Sequence, residues 1–63
     1  MYKYSKEELI IDAKEKYKEL LKEKNSTSER CYKLLYFIGY HAAESGLSAS
    51  EVMEINEIVL FED

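Results

Sequence analysis

The sequence predicts an all-α fold, a small three-helix domain with helices near residues 6–24, 27–45 and 49–61. Three observations carry this. The chain has no proline and only two glycines among its 63 residues, so little in it interrupts helix. The spacing S-x-x-E occurs at Ser5 and Glu8, at Ser26 and Glu29, and at Ser48 and Glu51. In that spacing each side chain accepts a hydrogen bond from the other residue's backbone N–H, which satisfies donors left over at a helix start. Between these starts the apolar residues recur with the helical period.

The first helix opens at Ser5, after a short lead whose Tyr2 and Tyr4 are able to fold back onto the helices. At about 100° per residue, Leu9, Ile10, Ala13, Tyr17, Leu20 and Leu21 form one stripe, with Ile11 off it. The opposite face is lysine and glutamate, a solvated surface, and Asp12 stands four residues before Lys16 in the favourable orientation for an ion pair. The segment 24–28, Lys-Asn-Ser-Thr-Ser, is the break, because its side chains compete for backbone hydrogen bonds.

The second helix carries the most apolar stretch of the chain, Cys31 to Ala43, CYKLLYFIGYHAA. Cys31, Leu34, Leu35, Ile38, His41 and Ala42 project to one face; Tyr32, Tyr36 and Tyr40 follow one another at i+4 on another. A helix apolar on two sides needs cover on both, so this one is expected at the centre. Gly46 ends it, glycine being the residue that accepts a left-handed conformation just past a C-terminus. The third helix follows Ser48, with Val52, Ile55, Ile58 and Val59 as its core stripe. Met53, Glu57 and Leu60 fall on a separate side.

Sixty-three residues make one domain, 1–63, near the size at which a hydrophobic core alone gives little net stability. The lone cysteine excludes an intrachain disulfide and reads as a reduced core residue of a cytoplasmic protein. The longest apolar run is five residues, Leu34 to Ile38, which is too short for a membrane span. Charge is unevenly placed. Residues 1–33 hold nine basic and seven acidic side chains, a balance of +2, whereas residues 34–63 hold none and six, a balance of −6.

No arrangement of residues points to catalysis, to a metal or to a cofactor. His41 and Glu44 share a helix side, but a metal needs three or four ligands and the chain has no second histidine. His41 is expected to be partly buried and bonded to a carbonyl or carboxylate. Cys31 and His41 stand ten helical residues apart, about 15 Å, too far for a nucleophile and its base.

Two local resemblances bear on function. Ala42, Gly46, Leu47, Val52 and Ile55 within Ile38 to Glu57 resemble the helix-turn-helix motif of DNA-binding regulators, in which such residues pack the helix pair about a glycine turn. The resemblance implies that Ala49, Ser50, Met53, Glu54 and Glu57 face outward from the second helix, and these bring no positive charge to phosphate. The run GLSASEVMEINEIV is similar to the turn and second helix of the small helical-hairpin aspartyl-phosphate phosphatases that act on sporulation regulators. Their Ser-Gln-Glu-Leu-Asp signature falls on Asn56 to Leu60, with Leu60 where the family has its final acid. That resemblance implies a short acidic hairpin laid on a response regulator.

The expected function is that of a small acidic intracellular protein that binds another protein and regulates or inhibits it. Glu44, Glu51, Glu54 and Glu57 are expected to steer it to a basic surface, one that itself binds nucleic acid in the sharpest form of the expectation. Tyr32, Tyr36, Tyr40, Met53 and Leu60 would supply apolar anchoring. The tyrosine stripe has two readings here, a second core face covered by helix one or an exposed interface, and a homodimer is a further use for either apolar surface. Nucleic acid ranks below protein as a partner, and no membrane partner is expected.

Overall fold

The three expected helix starts are all present in the computed structural model, which describes residues 3–24 and 26–61. Helix α1 spans Lys6–Lys22, α2 Thr27–Ser45 and α3 Ala49–Phe61. Ser5 Oγ accepts from the Glu8 N–H at 3.2 Å while Glu8 Oε1 accepts from the Ser5 N–H at 3.0 Å. Ser26 with Glu29, and Ser48 with Glu51, repeat the same reciprocal pair. The fold is therefore a small all-α three-helix domain in which each helix packs on both others.

Helix α1 stops at Lys22, two residues before the expected end. Glu23 turns into extended backbone, φ −83° and ψ 156°, and its N–H closes the last turn on the Leu20 carbonyl at 3.2 Å. At the other connection Gly46 adopts φ 77° and ψ 22°, with its N–H on the Ala43 carbonyl and the Leu47 N–H on the Ala42 carbonyl. These two bonds satisfy carbonyls that a helix end otherwise leaves unpaired.

The core is entirely aliphatic: Leu9, Ala13 and Leu20 from α1, Leu34, Ile38 and Ala42 from α2, Ile55 and Val59 from α3. Tyr17, Phe37, Leu47 and Val52 are among the half-buried residues packed around it. Several expected core positions lie elsewhere. Leu21 is 51% exposed, because adjacent helical residues point about 100° apart and Leu20 occupies the inward position. Leu35 is exposed beside the buried Leu34 for the same reason, and Cys31 is only half-buried, near the open start of α2. Leu60, expected on a separate side of α3, instead packs against the core.

The lead folds back through Tyr4; Tyr2 lies outside the described residues, as do Asn25 and the last two acidic residues. Tyr4 rests against the core, its N–H donates to Ser45 Oγ at 2.8 Å, and its phenol donates to Asp12 Oδ2 at 2.8 Å. The ion pair expected between Asp12 and Lys16 does not form. On the far side of α1, Lys6 Nζ reaches Glu54 Oε2 at 2.9 Å and ties α1 to α3. None of the described helices is long and apolar enough to cross a membrane.

Candidate functional site

Tyr32, Tyr36 and Tyr40 do not form a second core face. They are 69%, 65% and 50% exposed: Leu34, Ile38 and Ala42 carry the buried face of α2, and the tyrosines project to another side of the helix. The i+4 spacing sets them in a ladder. Tyr36 and Tyr40 are nearly parallel, with ring centroids 6.3 Å apart and planes within 5°, and Tyr32 follows 6.5 Å from Tyr36, tilted by 49°. Offset and tilted pairs of this kind are favourable ring geometries.

The ladder forms one side of an open groove of about 510 Å³ between α1 and α2. Lys16, Leu20 and Glu23 line it from α1; Lys33, Phe37 and His41 line it from α2 with the tyrosines. Its volume falls in the range of about 300–1,000 Å³ common to ligand sites. Two lysines face one glutamate there, and Lys33 Nζ lies 3.6 Å from Glu23 Oε1 across the seam. Lys16 turns toward α2, and its Nζ sits 5.9 Å from the Phe37 ring centroid.

His41 occupies the inner end of this aromatic cluster. Its ring centroid is 4.5 Å from Phe37, 5.3 Å from Tyr4 and 5.3 Å from Tyr40, each in edge-to-face geometry. Packing against three rings replaces the expected carbonyl or carboxylate partner, because α2's own carbonyls are used within the helix and Tyr4 folds in over the side chain. Among the described residues no group of three or more histidine, cysteine or acidic side chains could hold a metal ion.

The expected acidic and apolar residues of α3 lie outside the groove. Glu51 is committed to its capping box, and the Ser48 backbone N–H and hydroxyl hold its carboxyl below the usual carboxylate range. Glu54 is bound by Lys6, whose ammonium that hydrogen bond holds above its ordinary value. Glu44 and Glu57 are exposed, Met53 is 64% exposed, and Leu60 is half-buried against the core. The fold thus sets the three tyrosines side by side along the groove and leaves the other six positions outside it.

Lys16, Glu23, Lys33 and Phe37 also line the groove, and their spacing along the chain does not mark them as neighbours across it. Phe37 is the exception with a usable signal, since it projects between the aliphatic and tyrosine faces of α2, the place where a neighbouring helix must touch. Of the residues that carry the helix-turn-helix resemblance, Ala42 and Ile55 are fully buried, and Leu47 and Val52 pack on the core around Gly46. Comparison with protein-family models, with curated proteins and with solved structures finds no match.

Proposed function

We propose that this chain is a small helical binding protein that regulates or inhibits another protein, docking it along the tyrosine ladder of α2. The observation that carries the reading is the exposure of Tyr32, Tyr36 and Tyr40 beside an open groove. Three tyrosines left in water in so small a domain give up burial that its core would profit from. Tyrosine is also the residue type that anchors protein contacts, combining area with a polar tip at low rotamer cost. The exposed Glu44 and Glu57, in a chain of net charge −4, steer approach to a partner with a basic zone outside the groove. A reducing compartment such as the cytoplasm suits the half-buried, unpaired Cys31.

The test is capture of a partner from the native host by the wild type and by Tyr36→Ser/Tyr40→Ser. Both positions are exposed, so the double variant keeps the fold, which circular dichroism verifies. Loss of a specific captured protein is the expected result, and equal capture by the two proteins would sink the reading. A DNA-binding function would have to draw its phosphate contacts from α1 and the start of α2, since α3 contains no lysine or arginine. Retardation of duplex DNA at low salt would favour that alternative.

A further inference from the structure

From the half-buried Lys16 beside the tyrosine ladder, we infer that the groove receives an acidic segment of the partner, one that places a carboxylate next to an aromatic or aliphatic side chain. This rests on the tyrosine reading and adds the chemistry of what enters. The key relationship is the diversion of Asp12. Sequence spacing offers its carboxylate to Lys16, but Tyr4 takes it with a 2.8 Å hydrogen bond. Lys16 is then left half-buried, with its Nζ 5.9 Å from the Phe37 ring centroid and, among the described residues, no carboxylate within ion-pair distance. A ring face compensates an ammonium only weakly where solvent reaches it.

The second groove lysine, Lys33, stands across from Glu23 at 3.6 Å, so the lining carries one more positive than negative charge within a chain that is negative overall. A basic segment entering this groove would meet Lys16 without relief. An acidic one would meet the Lys16 ammonium, with which a carboxylate forms a charge-assisted hydrogen bond, stronger than one between neutral groups. Tyr36 and Tyr40 then flank the apolar side chain that accompanies the carboxylate, and their hydroxyls stay at the wet rim. The acids of α3 do not line this groove, so steering by them and recognition by Lys16 act at different places on the domain.

The experiment uses the full chain and two blocked helical peptides, one carrying glutamate and phenylalanine one turn apart, the other with lysine in place of each glutamate. Binding is followed by amide chemical shifts at low salt. The glutamate peptide is expected to bind more tightly and to shift Tyr36, Phe37, Tyr40 and His41. Lys16→Gln should weaken it about tenfold, the effect of removing one charge-assisted contact, while leaving the shift dispersion of the free domain unchanged. Equal or tighter binding of the lysine peptide overturns the inference, as does undiminished binding to Lys16→Gln. Tighter binding of a single-stranded oligonucleotide than of either peptide overturns it too, as does self-association that occludes the tyrosines. If Tyr36→Ser/Tyr40→Ser abolishes binding and Lys16→Gln does not, the tyrosine reading stands and the acidic segment falls. If neither variant matters, both fall.

Discussion

Tyr4 and Asp12, eight residues apart, are joined by a 2.8 Å hydrogen bond that ties the lead to α1 and engages the acid that stands four residues before Lys16. Tyr4→Phe keeps the ring against His41 and removes the bond. We expect a loss of stability below about 1 kcal/mol, since the bond is solvent-exposed. The more telling readout is the Lys16 side chain. Ring-current shifts from Phe37 on its ε-methylene should diminish as the ammonium swings back to Asp12, and unchanged shifts would contradict the diversion.

Stability should fall at both ends of the pH scale for different residues. The Glu51 carboxyl is held low by its bonds with Ser48. Its contribution is complete above the unfolded carboxylate pKa of about 4.3 and is lost as pH falls through the lower folded value. Tyr4 is raised, first by its hydrogen bond to Asp12 and then by burial, and Lys6 is raised by Glu54. Their contributions are complete below the unfolded values of about 10 and 10.4 and are lost as pH rises through the higher folded ones. In Lys6→Gln/Tyr4→Phe, urea midpoints should depend less on pH above about 10 than in the wild type.

Leu34 and Ile38 are fully buried where α2 meets both neighbours. Ile38→Ala or Leu34→Ala should cost about 2–5 kcal/mol, enough to unfold a domain of this size. Ile38→Val should cost about 0.5–1.5 kcal/mol and stay folded. Circular dichroism with urea titration separates these outcomes.

The sequence was a good guide where structure is set by neighbours along the chain. Ser5, Ser26 and Ser48 mark helix starts by bonds made within three residues, and Gly46 marks an end by its own backbone freedom. It was a poorer guide to how wide each buried stripe is. Leu20 and Leu21 look alike in a periodic pattern, and only the position of the neighbouring helices decides which one points inward. The groove was less legible still. Lys16 and Phe37 meet across two helices, and no spacing along the chain encodes such a meeting.

The two glycines should respond oppositely to alanine. Gly39 is helical, with nothing within 4 Å of an added Cβ, so Gly39→Ala should stabilise by about 0.4–1 kcal/mol through the unfolded chain. Gly46 also has open space, but at φ 77° an alanine is strained, and Gly46→Ala should cost about 1–2 kcal/mol. Thermal midpoints moving in opposite directions are the expected result.

Glu44 sits in the last turn of α2, at the negative end of a helix with no basic residue there. Replacing it by glutamine should raise stability by about 0.3–1 kcal/mol. If the same change slows association with the partner, Glu44 is kept for steering at a cost in stability. If the partner associates equally fast, Glu44 has no part in steering.

Three helices that carry their own start signals, joined by connections of a few residues, also determine how quickly the chain finds its fold. Much of the ordering can begin before distant parts of the chain have met, and helical domains of this kind fold on the microsecond to millisecond scale. Any molecule that unfolds therefore returns to the native state quickly compared with ordinary cellular intervals. A partner that selects the folded form would draw the whole population to it by mass action, with no slow step in the way.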